Sequence, residues 1–146
     1  MIKISSQQEA DKLLSLPDWE DAFLRECYLL SPSYIDPNIE TTIAPDGVPV
    51  MYMLICTLDF NYPAIELFFE EIEDVSFSCR TEINPVINFR QDYISFSFYE
   101  KKYADLRCKS LYYNILDQDV LGYKTRYGKK NIFDESGFLI FENLDS

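Results

Sequence analysis

The chain has 146 residues, of which 47% are apolar and 26% charged, and it contains no histidine. Such a composition belongs to a soluble globular domain, and at this length roughly two-thirds of the surface of the open chain can be buried, so residues 1–146 read as one domain with a single core. The missing imidazole removes the commonest general base, the commonest metal ligand and the usual pH switch.

Twenty-five Asp and Glu against 13 Lys and Arg leave a net charge of −12, and the excess is unevenly placed. Residues 1–98 hold 17 acids and 5 bases, whereas residues 99–146 hold eight of each. A field of that sign repels nucleic acid, whose binding needs cations to displace counterions from phosphates, and disfavours anionic membranes. It attracts a basic protein partner.

Ser6-Gln7-Gln8-Glu9 has the form of a capping box, and Ala10, Leu13 and Leu14 follow at helical spacing. A short N-terminal helix over 6–15 is predicted, ended by Pro17, which pushes Leu16 out of helical geometry. From residue 22 onward, short β-branched and aromatic runs between turn formers predict strands, the first at 22–30. The stretch 31–49, with Pro32, Pro37, Pro45 and Pro49, is irregular and reads either as a functional loop or as a hidden element. Residues 50–56 are apolar on both parities, as in a central strand covered on both faces. In 64–70, Ile65, Leu67 and Phe69 point inward and Glu66 and Glu70 outward. Val75, Phe77 and Cys79 alternate with serines in a further short strand. Residues 86–90 make another. In 93–100, Ile94, Phe96 and Phe98 face a core while Tyr93, Ser95, Ser97 and Tyr99 lie on an exposed or half-exposed face. The apolar parity of 105–116 switches near Lys109-Ser110, which predicts a β-bulge. Strands at 120–126 and 138–142, the latter after a turn at 134–137, complete the set.

Eight or nine short strands, one initial helix and no βα alternation predict an α+β fold, mainly antiparallel, either a sandwich or a half-barrel.

Little in the chain carries chemistry. Cys27, Cys56, Cys79 and Cys108 are too widely spaced for a zinc or dithiol motif and read as reduced, buried and inert thiols. No signal peptide or membrane-length apolar run occurs, so a cytoplasmic location is expected. Serine and cysteine triads need an imidazole, and the four dispersed glycines form no phosphate-binding loop. Asp117-Gln118-Asp119 opens like a calcium loop, but Leu121 and Gly128 stand where oxygen ligands are needed, so it reads as a turn. No cofactor and no metal site are expected. Two carboxylates alone hydrolyse a glycoside when held about 5–9.5 Å apart, yet nothing selects a pair among 25 acids. The densest acidic cluster is Glu66, Glu70, Glu71, Glu73 and Asp74, the candidate partner-binding residues. Tyr93, Tyr99 and Tyr112, together with Tyr103, are the candidates for an exposed aromatic patch.

Leu16-Pro17-Asp18-Trp19-Glu20-Asp21-Ala22-Phe23-Leu24 resembles the opening of several families of small bacterial immunity proteins of polymorphic toxin systems, in which a W-H-D-(A/S)-x-(L/V) segment leads into the first strand of a mainly antiparallel sheet. Trp19, Asp21, Ala22 and Leu24 fit that pattern, with Glu20 where histidine is usual. Ile65-Glu66-Leu67-Phe69 and Ile72-Glu73-Asp74-Val75 are similar to the strand and turn that these proteins place mid-chain. The likeness covers about a third of the chain and implies a cytosolic protein that binds one cognate toxin and has no chemistry of its own.

The expected function is therefore that of a non-catalytic acidic binding protein, of immunity type, docking on a basic and nuclease-like toxin. The alternatives are a small-ligand or peptide-binding module with Tyr93, Tyr99 and Tyr112 lining a groove near 31–49, and a carboxylate-only hydrolase such as a glycosidase.

Overall fold

The computed structural model of the chain describes residues 1–30, 34–35, 38, 41–42, 49–76 and 82–118. Helix formation starts where the sequence places it. The Ser6 hydroxyl accepts a hydrogen bond from the Glu9 amide at 3.2 Å, and α1 runs Gln7–Ser15. Contrary to expectation Leu16 keeps right-handed helical dihedrals, φ −71° and ψ −57°, so Pro17 ends the helix by lacking an amide donor and not by displacing Leu16. The returning bond of the capping box is displaced by one residue, because the Glu9 carboxylate accepts from Ser5 rather than from Ser6. Ala10 and Leu13 are buried, so the apolar stripe of α1 enters the core.

Around the helix lie β1 (Ile2–Lys3), β2 (Phe23–Leu30), β3 (Tyr34–Ile35), β4 (Thr41–Thr42), β5 (Val50–Cys56), β6 (Ala64–Glu70), β7 (Asp74–Val75), β8 (Val86–Phe89), β9 (Ile94–Ser97), β10 (Leu106–Cys108) and β11 (Ser110–Leu116). Nine of these form two antiparallel sheets, ordered β1-β11-β6-β5-β2 and β7-β10-β9-β8, and β3 and β4 pair in a two-residue ladder inside the 31–49 stretch. The fold is α+β and mainly antiparallel. The expected strands at 120–126 and 138–142, the turn at 134–137 and the segment Phe77 to Cys79 lie outside the described residues.

Both sheets and α1 contribute to one core. Met51, Met53, Ile55, Ile65, Leu67 and Phe69 come from the five-stranded sheet, Ile87, Ile94, Phe96, Leu106 and Cys108 from the four-stranded one, and Ile4, Ala10 and Leu13 from the N-terminal segment. Phe69 and Phe96 meet edge to face across it, with ring centroids 5.2 Å apart. β5 is buried on both faces, as its two-parity apolar sequence requires. In β2, Arg25 is a bulge, so Leu24 and Cys27, three residues apart, both pack against the core.

The parity switch near Lys109-Ser110 has a different origin from the expected bulge within one strand. β10 belongs to the four-stranded sheet and β11 to the five-stranded sheet, so the chain changes sheets at Lys109. Its partner turns with it, since β6 pairs with β11 and, three residues on, β7 pairs with β10. At the corner the Lys109 amide reaches the carbonyls of both Glu70 and Glu71, at 3.2 and 3.3 Å, and Glu71 adopts a left-handed φ of 53°. A second departure is in β9, an inner strand of its sheet, where Ser95 and Ser97 are buried instead of half-exposed. The outer edge of β8 is closed by Gln7, whose side-chain amide donates to the Ile87 carbonyl at 3.0 Å and accepts from the Phe89 amide at 2.7 Å. This is the hydrogen-bonding pattern of a further strand, supplied by one side chain.

Left-handed geometry costs a residue with a Cβ about 1–2 kcal/mol, part of which glycine returns through its freer unfolded chain. Glu71→Gly is therefore expected to raise stability by about 0.5–1 kcal/mol in urea unfolding. A loss of stability would show that the Glu71 side chain, and not its backbone, holds the corner.

Candidate binding surface

The expected acidic cluster divides on folding. Glu70, Glu71, Glu73 and Asp74 are exposed where the β6–β7 chain turns from one sheet to the other. They do not stand alone: Lys109 pairs with Glu73 at 2.8 Å and donates to the Asp92 carbonyl at 2.6 Å, and Arg107 is in register with Asp74. The hydrogen bond to Glu73, followed by the charges of Glu73, Asp92 and Glu71, raises the Lys109 pKa above its ordinary value. A carboxylate already paired with an ammonium adds little to the pull on a basic partner.

Glu66 corrects the sequence reading. It does lie on the opposite face of β6 from Ile65, Leu67 and Phe69, but that face is buried, and Glu66 is only 2% exposed. A second apolar layer of Tyr52, Leu54 and Ala64, flanked by Tyr28, Phe68 and Leu116, occupies it. The carboxylate is accommodated there because the Tyr52 hydroxyl donates to it at 2.7 Å and the Asn114 amide at 3.2 Å. Strand register explains the meeting. Glu26, Leu54, Glu66 and Asn114 form one row across β2, β5, β6 and β11, and Tyr28, Tyr52, Phe68 and Tyr112 form the next. Glu26, also buried, accepts from the Tyr28 hydroxyl at 2.6 Å, and the Tyr28 and Tyr52 rings stack at 5.9 Å.

The candidate tyrosines do not share a groove. Tyr93 precedes β9, with the Arg107 guanidinium 4.8 Å from its ring centroid. Tyr99 follows β9 at its other end, under the Lys101 ammonium at 4.5 Å, and Tyr112 lies in the other sheet, 5.9 Å from Lys3. Tyr103 is exposed beside Lys102. The 31–49 stretch against which the groove was expected lies largely outside the described residues.

Sequence reading missed a surface at the opposite end of the five-stranded sheet from the 70–74 cluster. There the 18–22 turn enters β2, the 57–63 turn joins β5 to β6, and Glu82 bridges to Phe23. The Asp59 carboxylate ties the first two turns together, accepting from the Asp18 amide at 2.9 Å and the Asn61 amide at 3.0 Å, while Asp18 accepts from the Glu20 amide at 3.0 Å. Asp21 takes a left-handed φ of 60°, which aspartate tolerates better than most residues. Leu58 and Phe60 project from the second turn, 72% and 78% exposed. Adjoining Leu58 through Asp18 and Glu20, a cleft of about 670 Å³ is lined by Trp19, Tyr99, Ile83 and the acids Asp18, Glu20, Asp21 and Glu82, among other residues. The acids come from positions 18–21, 59 and 82. The only local signal for them was the turn chemistry around Asp18 and Asp59.

Among the described residues, no group of three or more His, Cys, Asp or Glu side chains is placed to hold a metal ion, and no helix is long and apolar enough to cross a membrane. Burial raises the thiol pKa of Cys27, Cys56 and Cys108, the last to about 12, and Cys79 lies outside the described residues. Comparison of the chain with protein families, with curated proteins and with solved structures found no match.

Tyr52→Phe keeps the ring but removes a donor from a buried carboxylate, so it is expected to cost about 1–3 kcal/mol in chemical denaturation. A cost below about 0.5 kcal/mol would mean that Glu66 is satisfied without the hydroxyl. Burial, then the hydrogen bond to Glu26, pushes Tyr28 up to about 12. Its protonated form is thus the one the fold favours. That contribution is complete below pH 10, the ordinary tyrosine value, and is lost as pH rises from there toward about 12. Ultraviolet titration of the native protein is expected to show a tyrosine ionising near that upper value, absent in Tyr28→Phe.

Proposed function

We propose that the chain is a non-catalytic binding protein of immunity type, which neutralises a toxin of basic surface by docking on it. The observation that carries this reading is the acidic end of the five-stranded sheet, where Asp18, Glu20 and Asp59 lie about the exposed Leu58, Asp18 and Glu20 join Asp21 and Glu82 in the adjoining cleft, and the exposed Phe60 projects from the same turn as Leu58. A negative rim steers a basic partner and fixes its orientation, while exposed apolar side chains supply the area that a stable interface desolvates. The lining of this surface includes no lysine or arginine among the described residues, unlike the 70–74 cluster with its Lys109. The resemblance of the Trp19 to Leu24 segment to immunity proteins lies at this same end. Binding in solution within the cytoplasm, with no nucleic acid and no membrane as partner, is consistent with a net charge of −12.

The test is calorimetric binding to a purified toxin domain of basic surface encoded beside this chain, together with assay of the toxin's activity. Stoichiometric inhibition is expected, with affinity falling at least about tenfold between about 0.05 M and about 0.5 M salt. Leu58→Ser and Phe60→Ser are expected to weaken binding without loss of fold, since both side chains are exposed. An affinity that does not change with salt would reject the reading.

A further inference from the structure

We propose that the cleft between Trp19 and Tyr99 is a socket for a single cationic side chain of the protein partner, an arginine in preference to a lysine. This inference rests on the docking reading above and specifies which group that reading would recognise.

Three segments build the cleft. The Trp19 indole is held in place by its Nε1–H, which donates to the Leu14 carbonyl at 2.8 Å, and the Trp19 carbonyl accepts from the Ala22 amide at 3.0 Å. Ile83 is anchored by its amide to the Ala22 carbonyl at 3.1 Å, and Asn84 by its amide to the Phe98 carbonyl at 2.6 Å, which sets Glu82 opposite the 18–21 turn and beside Tyr99. Pro17, Ala22 and Ile83 are buried and form an apolar floor, while Trp19 and Tyr99 are half-exposed walls. The cleft, about 670 Å³, is open to solvent, so a side chain of a partner can enter it from outside.

Charge decides the occupant. Four carboxylates line the cleft, and no lysine or arginine does. Asp18 is engaged in capping its own turn, but the side-chain carboxylates of Glu20, Asp21 and Glu82 have no hydrogen-bond or ion-pair partner among the described residues. An anion or a neutral apolar group would leave those charges uncompensated. A guanidinium offers a flat face for the indole and forked donors for the carboxylates, and it is more weakly hydrated than an ammonium. The protein already places one cation against this wall, the Lys101 ammonium 4.5 Å from the Tyr99 centroid, but Lys101 is neutralised by its pair with the buried Asp105. The incoming cation therefore meets chiefly Trp19 and the carboxylates of Glu20, Asp21 and Glu82.

Trp19 is the single tryptophan of the chain, so emission excited selectively at tryptophan, and not at the tyrosines, reports on this cleft. The full chain is titrated with blocked hexa-arginine and hexa-lysine peptides, following tryptophan emission and, in parallel, calorimetric binding. Expected is a saturable emission change with hexa-arginine, at several-fold higher affinity than with hexa-lysine. Glu20→Gln with Glu82→Gln is expected to lower that affinity about tenfold, whereas Glu70→Gln with Glu71→Gln leaves it unchanged. All four positions are exposed, and circular dichroism confirms that each variant folds. Hexa-arginine binding with no emission change, or with no response to the Glu20 and Glu82 substitutions, would overturn the socket while leaving acidic docking intact. The same emission change produced by magnesium or calcium ions alone would also overturn it, as the signature of a simple ion site. Failure of either peptide to bind at low salt would count against the docking reading itself.

Discussion

The fold depends on a paired ribbon that turns from one sheet into the other. β6 and β11 run side by side in the five-stranded sheet, and their continuations β7 and β10 run side by side in the four-stranded one. Backbone pairing resumes across the turn, with the amides of Glu73 and Ser76 bonded to the carbonyls of Arg107 and Asp105. The corner is made where two residues, Glu70 and Glu71, face the single amide of Lys109, and the left-handed Glu71 takes up the change of direction. Only with that turn in place can Phe69 on one sheet and Phe96 on the other meet in a shared core.

Once the sheets enclose a core, the polar groups left near it must be satisfied. The molecule does so with side chains acting as local substitutes for missing structure. Gln7 completes the edge of β8 in the manner of a peptide group. Asp105, 1% exposed, accepts from the Phe98 amide at 2.9 Å and from Lys101, and so orders the turn between β9 and β10. On the far face of the five-stranded sheet, tyrosine hydroxyls donate to Glu26 and Glu66. In each case a buried acceptor or donor that would cost about 1–3 kcal/mol unpaired has a partner within 3.0 Å or less.

The same topology separates two acidic ends. Antiparallel pairing puts the start of β2, the β5–β6 turn and the end of β11 at one end, and the corner with Glu70, Glu71, Glu73 and Asp74 at the other. Lys109 and Arg107 enter the corner because β10 and β11 pass through it. The opposite end is built from turns whose carboxylates cap backbone amides or point to solvent, next to the apolar Leu58 and Phe60. A uniform negative shell would give solubility alone. That end instead combines acids with exposed apolar side chains, the combination on which the proposed docking rests.

Local signals in the sequence determined the helix, its Ser6 cap, the strands at 22–30, 50–56, 64–70 and 86–90, and the antiparallel α+β class, because caps, alternation and turn formers act over a few residues. They also placed a break at Lys109 without revealing its nature, since a bulge and a change of sheet leave the same parity switch in one strand. What faces a strand is not a local property. Alternation told that Glu66 opposes Ile65, but only the rows across β2, β5, β6 and β11 show that its side is buried among tyrosines. Likewise Trp19, Asp59, Glu82 and Tyr99 are dispersed along the chain and come to one end only through strand order, which antiparallel pairing over long sequence separations decides.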